Sequence, residues 1–213
     1  MYASSTGTAS TLKALRIHGW RLLMSPATLK RSKDKLAQRW ADGSPAPYAL
    51  DNGAWTSHQQ GKPFDEDAFR WALQRIGDGA DWVVAPDIVG AGVASLQLTK
   101  RWLNRIDHRL VLVAVQDGMT PRDVAPLVGA GRGVFLGGST PWKLETMAQW
   151  GRWCRQVGAY YHVARVNTVR RIKMAQCAGA HSVDGTSVTQ FPSTIDLLHS
   201  AAVQQCLFRR TDG

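Results

Sequence analysis

Cysteine is scarce: Cys154, Cys177 and Cys206 are the only three in 213 residues, they lie far apart, and no C-x-x-C pair occurs. A disulfide framework or a four-ligand zinc site needs more thiols at closer spacing, so neither is expected. Cys177 and His181 have a conceivable ligand spacing on a helix, but two ligands without partners read as a buried thiol and a polar histidine. No apolar run approaches the roughly 20 residues that span a bilayer, so no membrane partner is expected. The start, Met1 to Thr8, has no basic segment followed by an apolar one; it does not resemble a secretory signal, and residues 1–12 read as a flexible tail. Internal repeats, linkers and low-complexity stretches are also missing, so 1–213 reads as a single domain in a reducing cytoplasm.

What is abundant is positive charge. Lysine and arginine number 26 against 16 acids, a formal net charge of +10. Part of the excess is local: Lys30, Arg31, Lys33, Lys35 and Arg39 form one group, and Arg165, Arg170, Arg171 and Lys173 another. A charge run can be a solvated face and nothing more. Two such groups beside candidate catalytic acids point to a nucleic-acid partner.

Four short apolar stretches end in polar residues. Tyr48-Ala49-Leu50 runs into Asp51-Asn52-Gly53, and Trp82-Val83-Val84-Ala85-Pro86 into Asp87. Val111 to Val115 runs into Gln116-Asp117-Gly118, and the run from Cys177 reaches Val183 before Asp184-Gly185. A lone Asp-Gly is usually only a turn. Polar groups at the same end of several parallel strands are what an α/β barrel uses to build a site. Strands are expected at Arg21–Met24, Tyr48–Asp51, Trp82–Ala85, Leu110–Val115, Gly133–Leu136 and Tyr160–Val163, with a seventh closing at Val183. Helices are expected over Thr28–Trp40, Asp65–Gly77, Ser95–Arg105, Thr140–Val157, Thr168–Ala178 and Ser193–Cys206, with a short one opening at Thr120 and a polar loop over Ser57–Lys62. This alternation implies a TIM-like (β/α)8 barrel. The eighth strand is not legible: either Val188–Phe191 supplies it or closure is irregular.

These polar endings resemble the motifs of the tRNA-guanine transglycosylase superfamily, and within it the short 7-deazaguanine DNA transglycosylases of phages and bacteria. Leu50-Asp51-Asn52-Gly53-Ala54-Trp55 is similar to D-S-G-G-[FY]-Q, with Asn52 for serine and Ala54 for the second glycine. Ala85-Pro86-Asp87 resembles the segment whose acid recognises the base, and Val115-Gln116-Asp117-Gly118 resembles V-Q-G-G. Phe135 to Ser139 is similar to the G-G-[LS]-x-x-G loop, and Gly179 to Asp184 has the spacing of G-x-x-x-F-D. Together the motifs span about Asp51 to Ser187.

The resemblance implies a double displacement without a cofactor or metal. Asp184 is the nucleophile at C1′ of a guanosine sugar and Asp51 the general acid/base. An aspartate suits attack because its ordinary pKa, about 3.9, leaves it ionised at neutral pH. Asp87 accepts from the N–H edge of the base, Gln116 and the backbone of Gly137 and Gly138 hold its O6 edge, and Trp55 stacks on it or walls the site. His162, Arg165, Asn167 and Arg170 are placed at the sugar and phosphates. Plainer alternatives stand beside these: an Asx turn for Asp51, a helix cap for Asp87, a satisfied strand-end amide for Gln116, a tight turn for Gly137-Gly138 and a buried histidine for His162. Trp102, Trp150 and Trp153 read as helix packing.

The chain has no counterpart of the zinc-binding insert of the tRNA enzymes, which favours the DNA branch and a 7-deazaguanine base of the preQ0 type. A guanine inside a duplex must be flipped or single-stranded to react. No strand-opening module is legible, which leaves room for a partner that opens the duplex. Aspartate at Asp117, where the tRNA enzymes usually have glycine, leaves the base preference open. The same chemistry on tRNA, a barrel that binds nucleic acid without catalysis, and an N-glycosidase are the rival readings.

Overall fold

The computed structural model describes residues 1–4, 8–31, 39–40 and 42–204. Eight parallel strands form a closed barrel in chain order. They are β1 (Tyr2–Ser4), β2 (Arg21–Met24), β3 (Tyr48–Leu50), β4 (Val83–Val84), β5 (Val111–Val115), β6 (Arg132–Leu136), β7 (Tyr161–Val163) and β8 (Ser182–Gly185). The helices are α1 (Ala9–Ile17), α2 (Pro26–Arg31), α3 (Ala54–Gln59), α4 (Glu66–Ile76), α5 (Leu96–Leu103), α6 (Pro121–Val124), α7 (Thr140–Gln156), α8 (Val169–Cys177), α9 (Ser187–Gln190) and α10 (Ile195–Val203). The architecture is the expected (β/α)8 barrel, and its closure is regular.

The missing eighth strand lies at the opposite end of the chain from where it was sought. Tyr2 pairs with Arg21 on one side and with Asp184 on the other, and Ala3 pairs with Gly185. Of the flexible tail expected over residues 1–12, Tyr2–Ser4 is a strand and residues 9–12 are the first turn of α1, capped by the Thr8 side chain, and residues 5–7 lie outside the described residues. Val188, the centre of the alternative closing strand, is buried in α9. The expected loop over Ser57–Lys62 is in part α3, which opens at Gly53, a residue in the left-handed region at φ 84°. Of the basic helix expected over Thr28–Trp40, α2 ends at Arg31, residues 32–38 lie outside the described residues, and Arg39 makes an isolated bridge to Pro45. The ends expected for the last helix at Cys206, and for Arg209–Gly213, also lie outside them.

Two layers of packing hold the barrel. Between strands and helices lies a continuous apolar shell that includes Leu15, Leu22, Phe69, Trp102, Val113, Trp150 and Ile172. Trp102 and Trp150 are packing residues, as expected, and Trp153 is half-buried against the same shell. Inside the strands a second cluster of Tyr2, Ala49, Trp82, Val84, Leu112 and Ala114, with Phe135 and Tyr160 against it, fills the bore. The rings of Tyr2 and Trp82 lie 5.0 Å apart, edge to face. The barrel is thus plugged, and ligands approach only from its two ends.

Each fully buried aromatic removes roughly 150–250 Å² from water, about 4–6 kcal/mol at about 25 cal/mol per Å². A whole domain is stable by only about 5–15 kcal/mol. Deleting Tyr2–Ser4 removes one such ring and both seams of the closure. We expect the shortened chain to lose its cooperative thermal transition and to bind the dye ANS; a tail would have tolerated the cut.

At the amino-terminal end, Arg21 makes a two-pronged ion pair with Asp81, at 2.5 and 2.6 Å, and the Tyr2 hydroxyl donates to the same carboxylate at 3.0 Å. A surface cavity of about 690 Å³ opens at this end, lined by Arg109, Gly131, Arg155, Tyr160 and His181, which just precede their strands or lie on helix α7. Cys177 is disulfide-bonded, where a buried thiol was expected. The Nδ1 atom of His181 accepts from the Tyr161 N–H at 3.0 Å. Among the described residues no three His, Cys, Asp or Glu side chains gather to hold a metal. Among those residues, too, no helix is long and apolar enough to cross a membrane.

Candidate active site

Every strand in this topology points its carboxyl end at one rim, so the polar endings read from sequence meet there. Asp51 follows β3, Asp87 the short β4, Gln116 and Asp117 β5, Gly137 and Gly138 β6, and Arg165 and Asn167 β7; Asp184 sits within β8. Their convergence shows in their electrostatics. Burial pushes the Asp51 carboxyl up to about 7, and the negative charges of Asp184 and Asp87 push in the same direction. The backbone amides of Asn52 and Gly53 oppose the rise without cancelling it. Asp87 is pushed up to about 6 by burial, against the opposing pull of Asn52 and the Arg165 guanidinium.

Asp184 is buried, at 4% exposure. One oxygen, Oδ1, accepts from His162 Nε2 at 2.9 Å and from the backbone N–H of Arg165 at 3.2 Å. The other oxygen, Oδ2, accepts from no described group and is left for a ligand. A carboxylate held on one side and open on the other is a preorganised nucleophile or acceptor.

Asp87 is not a helix cap. Its Oδ1 accepts from Asn52 Nδ2 at 2.8 Å, and the same amide donates to the Ala85 carbonyl at 2.8 Å. Asn52 Oδ1 in turn accepts from the Ala54 N–H at 2.8 Å. Asn52 thus fastens the β3 loop to the β4 loop and aims Asp87; only its position between Asp51 and Gly53 hinted at this role.

Gln116 lies beside Asp87, but its amide is committed to the loop after β4. Nε2 donates to the Ile88 carbonyl at 2.9 Å, and Oε1 accepts from the Gly90 N–H at 2.6 Å. Its place is that of the satisfied strand-end amide. The Gly137 N–H is engaged as well, donating to the Val115 carbonyl at 2.9 Å, which leaves Gly138 as the candidate donor of that pair. Gly138, at φ 73°, admits no side chain, because a Cβ would meet Asp117 Oδ2 at 2.6 Å and Trp142 at 2.8 Å. Burial raises Asp117, but the Ser139 hydroxyl and amide outweigh it and hold this carboxyl below its usual range. Those two bonds, at 2.5 and 2.6 Å, fasten the start of α7.

Arg165 does not stand free for phosphate. Its backbone is in the left-handed region at φ 55°, unusual without glycine, and its guanidinium lies 4.3 Å over the Trp55 ring and donates to the Gly138 carbonyl. It therefore bridges the loops after β3, β6 and β7. Trp55, 40% exposed, offers a large aromatic surface at this rim. Asn167 is a tie between loops, since its Oδ1 accepts from the N–H groups of Thr186 and Ser187 at 2.9 and 3.2 Å. Arg170 is exposed on the first turn of α8. Lys173, from the same basic group, reaches Gln204 at the end of α10.

His162 is fully buried and lies below Asp184, so no sugar or phosphate reaches it. Lys143 was missed from the sequence. It shares the buried stripe of α7 with Met147, Trp150 and Cys154, donates to the Ala164 carbonyl, and is pushed down to about 8 by burial and by Arg165, against the pull of Asp184. A lone lysine on an otherwise apolar helical face was the available signal.

No protein-family model matches this chain, and no curated protein matches it significantly.

Proposed function

We propose that the chain is a guanine transglycosylase acting on DNA, exchanging guanine for a 7-deazaguanine of the preQ0 type with retention at C1′. One observation carries the reading: Asp51, Asp87 and Asp184 stand at the carboxyl ends of β3, β4 and β8 on one rim, where burial and the charges of the other two push the Asp51 carboxyl up. A raised carboxyl beside a second carboxylate held by a histidine and a backbone amide is an arrangement that acid/base-assisted displacement at a sugar carbon uses.

In this reading Asp184 Oδ2 attacks C1′ as the C1′–N9 bond breaks, and Asp51 gives its proton to the departing guanine. The incoming base then gives its N9 proton to Asp51 and attacks C1′, and the bond to Asp184 breaks. A group near pKa 7 can give and take a proton in successive steps at neutral pH. Asp87 supplies the acceptor for the base's N–H edge and Gly138 a donor for its O6 edge. Trp55 and the Arg165 guanidinium form the wall against which a flat ring packs, and exposed Arg170 is placed to meet phosphate. The substrate is single-stranded DNA or a flipped guanine, because the deep carboxylates are out of reach of a stacked base. No step draws on a metal or cofactor, and the cytoplasm of a bacterium or of a phage-infected host is the compartment in which such a base would be met.

The experiment is nucleoside mass spectrometry of single-stranded DNA incubated with the protein and preQ0. Mass-shifted deoxyguanosine is the expected product. Abasic sites would instead mark a hydrolase, exchange confined to tRNA would move the substrate, and neither product would reject the reading.

A further inference from the structure

A line of hydrogen bonds crosses the plugged bore of the barrel. The Tyr160 hydroxyl donates to Ser182 Oγ at 2.8 Å, Ser182 Oγ lies 2.7 Å from His162 Nδ1, and His162 Nε2 lies 2.9 Å from Asp184 Oδ1. Strand register explains the alignment. His162 pairs with Ser182 across β7 and β8, and side chains two apart on β8 share the inner face, so Ser182 and Asp184 flank the same imidazole. The ring is stacked on Phe135 at 4.9 Å and 12°, with Trp82 at 4.7 Å. It is fully buried, so it cannot act on a substrate.

We propose that His162 is a positioning residue held as the Nε2–H tautomer by Ser182 and Tyr160, so that it donates to Asp184 Oδ1 and presents Oδ2 to the sugar. Proton counting fixes the direction. A carboxylate oxygen can only accept, so the proton of a neutral imidazole lies on Nε2, toward Asp184 Oδ1, and the bare Nδ1 accepts from Ser182 Oγ, which itself accepts from Tyr160. Burial lowers the pKa of His162 despite the opposing pull of Asp184, with the Met1 amino group and Lys143 also lowering it. The Tyr160 phenol is raised by burial and stays a donor. A histidine–aspartate pair more often serves with the acid supporting the base; here both are buried, the histidine is the deeper of the two, and the roles are reversed. The catalytic part of this inference rests on the proposed role of Asp184 as nucleophile.

Nitrogen-15 NMR of His162 in the full chain at pH 7 tests the tautomer without any activity, and should show Nε2 protonated and Nδ1 bare. His162→Phe keeps a stacked ring but removes the donor, whereas His162→Gln returns an N–H near the Nε2 position. With DNA and labelled guanine, Phe should lower kcat about 10–100-fold, the worth of one hydrogen bond to a charged group, and leave KM for DNA unchanged. Gln should recover most of that loss. Ser182→Ala should mix the tautomers and lower kcat by less than Phe does. A protonated Nδ1 or a charged ring in the native protein overturns the proposal, as does a folded His162→Phe with native kcat. Absence of exchange by the native protein would reject the transglycosylase reading, while the nitrogen spectrum would still decide the relay.

Discussion

Asp184→Asn is expected to lower guanine exchange by about 10⁴-fold or more and to leave DNA binding within about threefold. Asparagine keeps an oxygen to accept from His162 and the Arg165 amide, the two donors that now share Oδ1. Alanine leaves both donors buried and unmatched, at about 1–3 kcal/mol apiece, and so mixes a folding defect with the chemical one. The native protein trapped with DNA and no acceptor base should run on a denaturing gel as a slower, DNA-linked band, and Asp184→Asn should show none. Persistence of that band in the asparagine variant would move the nucleophile elsewhere. Exchange at native rates in the variant would remove Asp184 from the mechanism altogether.

The second large effect is at Asp51, where activity and stability should move in opposite directions. Asp51→Asn removes the proton carrier and should cost about 10²–10⁴-fold in exchange. The sign for stability follows from the raised carboxyl. A folded-state value of about 7 means that the native protein keeps this proton where the unfolded chain has already released it. The native state is thus favoured at acid pH and loses that advantage as pH rises from the ordinary aspartate range through about 7. Asp87, at about 6, contributes in the same direction over a narrower window. At pH 8 Asp51→Asn should therefore melt about 2–6 °C higher than the parent, and at pH 4 the two should melt together. Asp51 keeps part of its surface exposed, so this rise is well below what full burial would give. Equal melting temperatures at pH 8 would show that Asp51 is not held against repulsion, and with that the reason to assign it the proton would go.

Asp81, at the other end of the barrel, marks how differently two aspartates beside strands can be used. It is answered by Arg21 and Tyr2 and ties β1 and β2 to the start of β4. The rim carboxylates Asp51 and Asp87 have no such full ion pair, and their raised values record that imbalance. A structural ion pair and a cluster of buried carboxyl groups thus occupy opposite ends of one bore, separated by the Trp82 and Phe135 rings.

Local pattern alone was enough for the seven strands from Arg21 to Val183, for the cap at Asp65 that opens α4, and for the gathering of Asp51, Asp87 and Asp184 at one rim. Strand period, punctuation by glycine and proline, and the βα alternation are encoded within a few residues of each element, so a linear reading recovers them. Closure was not local: Tyr2–Ser4 is three residues long, and only its two neighbours, one of them at the far end of the chain, make it a strand. The commitment of Gln116, Gly137 and Asn167 to loop-holding bonds, the burial of His162 beneath Asp184, and the placement of Lys143 and Asn52 likewise depend on partners distant in sequence. Charge obeys the same division. The sequence names the acids, but their proton affinities are set by burial and by one another's fields, and those exist only once the barrel has closed.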